Sequence, residues 1–322
     1  MGRLGKGLLT LAPVALVSLL ALFLTTGDSD STLAPEPPRA VGGCSVDAAT
    51  MTAAGCTIER EDTAAVADPK AGLWGNIECA ADSRHQQVGS GGDPHPRSDG
   101  SAQEDDAYRR LTVIDGDDYY GERCELGRND HLDGENSRRQ TSGTFALYGA
   151  GQRRITFFSE RYGGAFAPGV DAWQTVMQMK QAEPADSAGY GPVLELQIYR
   201  NRLRLFDSWT ERWTTAAPPT QTWIRYAVDV VYSNDPGVGA VQVYVDLNGD
   251  GDAVDRGERS PRMNMATLVT ETSGPSGLND GLAPGDQVPS HLRLGLYHDT
   301  PIPCPPSDGC VVDVDNVQVV SG

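Results

Sequence analysis

The chain is 322 residues long and carries 26 Lys and Arg against 44 Asp and Glu, a formal charge of −18 at pH 7. A surface that acidic repels nucleic acid and anionic lipid, so neither is an expected partner. It repels polyanions as well, so a chain of this charge that binds any anion has to gather its few cations in one place.

Arg3 and Lys6 precede an apolar run from Leu8 to Leu24 and a polar stretch that begins at Thr25. That order is the layout of an export signal, and residues 1–27 are predicted to be cleaved on secretion; an uncleaved anchor is the competing reading. Nothing later in the sequence could span a bilayer, so no stable membrane association is expected after cleavage. Residues 28–43 are rich in Pro and Gly and read as a linker. Residues 44–322 are then expected to form one large domain, and a monomer.

Six cysteines, an even number, fit an oxidising compartment but leave fifteen connectivities open. Spacing narrows them: Cys44–Cys56 and Cys304–Cys310 bracket short loops, which leaves Cys79–Cys124. A zinc site is the alternative, but no Cys-x-x-Cys pair or nearby His cluster accompanies it.

The Gly- and Asp-rich stretch from Gly89 to Asp106 reads as an exposed loop. After it, period-two alternation recurs along the chain. In Arg123-Cys124-Glu125-Leu126-Gly127, Arg123 and Glu125 face one way, Cys124 and Leu126 the other. In the segment Trp173 to Lys180, Gln178 and Lys180 share a face opposite Met177 and Met179. Leu194, Leu196 and Ile198 alternate with Glu195, Gln197 and Tyr199; Asn201 turns the chain, and Leu203 and Leu205 then alternate with Arg202 and Arg204. Further strands are predicted at Ile224 to Val231, Val241 to Asp246, His291 to Asp299 and Val311 to Val320. In the segment from His291, three leucines oppose His291, Arg293, Tyr297 and Asp299. Capped helix-period stretches are scarce, so the fold class is all-β, a two-sheet antiparallel β-sandwich.

Asp246, Asn248, Asp250 and Asp252 place oxygen ligands at alternate positions with glycines between them, as calcium loops do. The twelfth position is Gly257, with Glu258 one place late, so a structural calcium is weighed against a polar hairpin turn. His85, His95 and His131 lie in loop-like sequence and read as solvated.

Arg-Cys-Glu-Leu at Arg123, Gln-Met-Lys at Gln178 and His-Leu-Arg-Leu-Gly-Leu-Tyr at His291 resemble, in order, the Arg-x-Glu-Leu, Gln-x-His and Tyr-Phe-Lys-x-Gly-x-Tyr motifs of jelly-roll polysaccharide lyases. That group includes alginate lyases, glucuronan lyases and the heparin-lyase type, built on a concanavalin A-like sandwich. The resemblance implies β-elimination on an acidic polysaccharide, with no cofactor required for the chemistry. It places carboxylate neutralisation on Arg123 and Gln178, assistance or proton abstraction on Lys180, and proton donation or shuttling on Tyr297. Lys180 stands where the family has histidine, and His291 and Arg293 replace an aromatic residue and a lysine. Glu125, Arg293, His291, Glu195, Gln197, Tyr199 and Arg204 are candidate substrate-binding residues.

The chemistry accounts for these residue types. Loss of the C5 proton of a uronate leaves a carbanion that the neighbouring carboxylate accepts only when its own charge is neutralised, the task of a guanidinium and an amide. A phenol, near pKa ~10 in isolation, needs adjacent cations to act at neutral pH. A non-catalytic carbohydrate-binding module is the alternative from another class. Hydrolysis is a third; it needs two opposed carboxylates, and the motifs supply Glu125, with Asp299 at a strand end.

Overall fold

The computed structural model describes residues 43–62, 64, 74, 76–103, 105–117, 122–127, 148–181, 192–207, 210–272, 283–299 and 301–322. The expected signal, nearly all of the linker, and His131 lie outside the described residues. The strands in the first half of the chain are β1 (Thr57–Asp62), β2 (Asn76–Cys79), β3 (His85–Val88), β4 (Tyr108–Val113), β5 (Arg123–Gly127), β6 (Arg153–Gly164), β7 (Gln174–Gln181), β8 (Leu194–Tyr199) and β9 (Arg202–Asp207). There follow β10 (Thr210–Ala216), β11 (Ile224–Val231), β12 (Ala240–Val245), β13 (Met263–Asn264), β14 (Val269–Thr270), β15 (Gln287–Val288), β16 (Ser290–His298) and β17 (Cys310–Ser321). Among the described residues no helix is long and apolar enough to cross a membrane.

Two sheets carry the fold. The first runs β13-β12-β11-β6-β17-β4-β3, with β1 also on β17; the second runs β10-β9-β8-β7-β16-β5-β2; β14 and β15 form a separate ribbon. All pairings are antiparallel, as the sandwich reading requires. The apolar sets picked out by alternation meet between the sheets: Leu126, Met177, Met179, Leu194, Leu196, Leu292, Leu294 and Leu296 from the second, Tyr226, Val228, Val243, Val312 and Val314 from the first, where Phe158 of β6 joins them. Burying each such side chain is worth roughly 1.5–3 kcal/mol, which is why the pattern fixes which face points inward.

The β8–β9 hairpin turns on Arg200 and Asn201, at φ 49° and 59°. Positive φ at both central residues of a two-residue loop matches the right-handed twist of the flanking strands.

The segment from Gly89 to Asp106 is, as expected, a connection without strands and exposed at most of its described residues, but Asp93, Arg97 and Ser98 within it are buried. The Asp93 amide donates to Asp315 Oδ2 at 2.7 Å and the Ser98 amide to Gln318 Oε1 at 2.6 Å, so the segment is strapped across β17. Beside it the Cys44–Cys56 loop lays Met51 and Ala53 on Ile155, Phe157 and Ala227. The first sheet is therefore covered on both faces. His95 contacts Asp93 through Nδ1 at 2.5 Å, and His85 belongs to β3, its pKa lowered to about 4 by burial and then by Arg109; neither is a freely solvated histidine.

All three expected disulfides form. Cys79 and Cys124 are directly opposed on β2 and β5, with Cα atoms 4.1 Å apart. This link ties a four-residue edge strand to the sheet across 45 residues of sequence. Replacing both cysteines by alanine is expected to cost roughly 3–5 kcal/mol, mostly by freeing the unfolded chain. Denaturant unfolding of the double variant against the parent checks this, and an unchanged midpoint would show that β2 holds without the bond.

Candidate active site

The three motif segments become β5, β7 and the strand between them, β16, and β8 extends the same sheet on the far side of β7. Cross-strand partners share a face, so register decides which polar side chains meet. Arg293 pairs with Gln178, Gln178 with Glu195, and Glu195 with Phe206: one row over four strands on the face turned away from the core. A second row runs Arg123, Tyr297, Thr175, Gln197 and Arg204. Lys180 is opposite His291.

The rows line up because β16 carries a bulge. Leu294 pairs with Met177 but Tyr297 with Thr175, so two residues of β16 oppose one of β7. Gly295 sits in the bulge at φ 138°, and a Cβ there would lie 2.5 Å from the Cys124 carbonyl oxygen. Only glycine fits this position. The offset sets Tyr297 opposite Thr175; it stands half-buried on the polar face, with the Arg123 guanidinium 4.5 Å over its ring and Trp173 edge-on at 4.8 Å.

At the centre lies a buried group of charges. Arg123 Nη1 donates to Glu78 Oε2, and Arg123 Nε lies 3.4 Å from Glu125 Oε2. Arg293 Nη1 donates to the same Glu78 oxygen at 2.5 Å and lies 3.9 Å from Glu125 Oε2. Gln178 Nε2 donates to Glu125 Oε1. Arg293 Nε donates to His291 Nε2 at 3.1 Å, which places the imidazole proton on Nδ1. Burial pushes the Glu125 carboxyl up, opposed by Arg123 and Arg293 and reinforced by Glu78. Burial also works against the charge of Arg123, but Glu125 and Glu78 outweigh it and hold that guanidinium above its usual value.

Toward β9 the face is more open. Arg204 donates to Gln197 Oε1 at 3.0 and 2.7 Å through Nε and Nη2, and its guanidinium lies 4.3 Å from the Tyr199 ring and 4.5 Å from that of Phe206. Gln197 in turn donates to Glu195. Burial lifts the Glu195 pKa to about 7, the Gln197 bond opposing and the Glu125 charge adding.

The structure thus brings Arg123, Glu125, Gln178, Lys180, Arg293, His291 and Tyr297 onto one sheet face, with Glu195, Gln197, Tyr199 and Arg204 beside them. Sequence reasoning missed Glu78 and Trp173. Glu78 was within reach of inference: a Cys79–Cys124 bond between directly opposed residues sets Glu78 against Glu125. An open pocket of about 410 Å³, lined by Arg110, Arg161, Gly163, Gln221, Asp308 and Asp313 among others, lies on the other sheet and shares no residue with this face.

Asp246, Asn248, Asp250 and Asp252 lie in the turn after β12. Asp246 accepts from the amides of Gly249 at 2.7 Å, Asp250 at 3.1 Å and Gly251 at 2.8 Å, while Asn248 Nδ2 donates to Asp250 and Asp255. In this arrangement the side chains serve the turn itself. Among the described residues the grouping that brings three metal-ligating atoms together is His298 with Cys304 and Cys310, and those sulfurs are joined in a disulfide.

Glu195 supplies a pH test. Its folded-state pKa is raised from 4.5 to about 7, so between those values the native state keeps a proton that the unfolded chain has lost. Stability should therefore fall as pH rises through that window and level off above it. Glu195→Gln should flatten this part of the stability curve in urea titrations at stepped pH; an unchanged slope would remove the shift.

No family model matches the chain, and no curated protein matches it. Solved structures similar to it include the marine PL7 alginate lyase AlyA1 from Zobellia galactanivorans, 12% identical over 76% of this chain and 95% of that one, with a TM-score of 0.41. The alginate lyase PA1167 from Pseudomonas aeruginosa is 13% identical over 67% and 83%, with a TM-score of 0.40. The catalytic domain of a GH131 beta-glucanase from Podospora anserina is 14% identical over 78% and 86%, with a TM-score of 0.44. At these identities and scores the likeness carries no argument about what this chain acts on, and the sandwich rests on the two sheets themselves.

Proposed function

We propose that the chain is a secreted polysaccharide lyase that cleaves a uronic-acid-containing polysaccharide by β-elimination. The observation that carries the reading is the convergence of Arg123, Gln178, Lys180 and Tyr297, from strands far apart in sequence, on one face of one sheet. The cationic head of the leader and three disulfides support export to an oxidising compartment.

A sugar laid across β5, β16 and β7 meets a guanidinium, an amide and a phenol together. Gln178 uses one of its two amide hydrogens on Glu125, and the other is available to a C6 oxygen. Arg123 and Lys180 oppose the charge that develops there as the C5 proton leaves. Tyr297, as phenolate, takes that proton; the C5 electron pair forms the C4–C5 double bond, the C4–O4 bond breaks, and the phenol returns the proton to O4. Arg123, 4.5 Å over the ring, holds the phenol side chain in place on this face.

One observation favours a second reading. Burial raises the Glu195 carboxyl to about 7 beside Glu125, and a pair of carboxyls is the equipment of acid–base hydrolysis.

Incubation of the secreted chain with a panel of polyuronates separates the readings. A rise in near-ultraviolet absorbance from unsaturated ends is the expected result. New reducing ends without absorbance would mean hydrolysis, and binding without either a carbohydrate-binding module. Tyr297→Phe should lower kcat by about 100-fold or more with little change in KM, and turnover at the parent rate would take Tyr297 out of the mechanism.

A further inference from the structure

Glu78 lies outside all three motifs, yet its carboxylate is the shared acceptor of Arg123 and Arg293. It is 5% exposed, and Glu125 is fully buried beside it. Among the described residues two guanidiniums face two carboxylates, so these four side chains sum to zero charge before any sugar arrives. Farther along the face Lys180 and Glu195 add one cation and one acid, and the described residues there also include Tyr297, His291, Tyr199 and Arg204, the last 3.8 Å from Glu211.

A third carboxylate entering such a group meets guanidiniums whose charge is already paired with an anion. It must either add an uncompensated negative charge at a dry site or push aside Glu78, which is held by both arginines. A uronate whose C6 is esterified brings the same acceptor oxygens without the charge. Its C5 proton is also the more acidic, because an ester carbonyl accepts the developing electron pair without prior neutralisation.

We propose that Glu78 is the specificity-determining residue of this face: by holding Arg123 and Arg293 in charge balance it makes a C6-esterified uronate the preferred occupant over the ionised acid. The inference rests on the uronate-binding reading above and names the form of uronate taken. The elimination is unchanged: the C5 proton leaves to the base, the double bond forms, O4 departs protonated, and the ester stays intact.

The test is calorimetric binding of matched tetrasaccharides of galacturonate, glucuronate and mannuronate, each as free acid and as methyl ester, to the parent and to Glu78→Gln. The parent should bind one ester at least about tenfold more tightly than its free acid, and Glu78→Gln should move that ratio toward the free acid by about tenfold or more. A parent that prefers the free acid, or a ratio unchanged in the variant, overturns the proposal. Circular dichroism establishes that the variant is folded; should it not fold, the parent's own ratio decides. The expected ratios without unsaturated product from either form would overturn the lyase reading alone, and failure to bind any of the six sugars would overturn both.

Discussion

A charge removed from water has to be met by another within the protein, and the second sheet is organised around four such charges. Arg123, Arg293, Glu78 and Glu125 are all buried on the side away from the sandwich core. Losing any one partner would strand the others at a cost of several kcal/mol. That requirement links β2, β5 and β16 through side chains as well as through their ladders, and Gln178 extends the link to β7. The polar face is consequently a fixed arrangement, whose members hold one another in place before a ligand enters.

Register makes the group possible, and two local features hold the register. The Cys79–Cys124 bond joins directly opposed residues, so Glu78 is delivered opposite Glu125. The Gly295 bulge lets β16 keep regular pairing with β5 while slipping by one residue against β7. Without the slip, Tyr297 would fall opposite Gln174 and not Thr175.

The two sheets divide the work. The first is covered on both sides, by the core and by the Cys44–Cys56 loop together with the strap that carries Asp93 and Ser98. Beneath that strap Asp315 accepts the amides of Asp93 and Asn316, and burial lifts its pKa to about 8. The second sheet is backed by the core and offers its other face to chemistry. Its inner leucines and methionines anchor the strands that present Arg123, Gln178, Lys180 and Tyr297.

The sequence by itself determined β5, β7, β8, β9 and β16 of the second sheet, though not its edge strands β2 and β10. One face of β7, β8, β9 and β16 is apolar and the other polar, and a period of two is then visible residue by residue. It determined the facing of Arg123, Gln178 and Tyr297 for the same reason, and the cysteine pairing because loop spacing left few choices. It did not disclose β6, the central strand of the first sheet, where Ile155, Phe157, Phe158, Ser159 and Tyr162 are all buried and the contrast between faces is lost. Only the tertiary structure decided that the loop is tied down at Asp93 and Ser98, since that depends on acceptors at Asp315 and Gln318 more than two hundred residues away. Only it decided that the arginines of the candidate site are already paired, because charge balance on a sheet face is set by which strands become neighbours, and no local pattern in the chain encodes that.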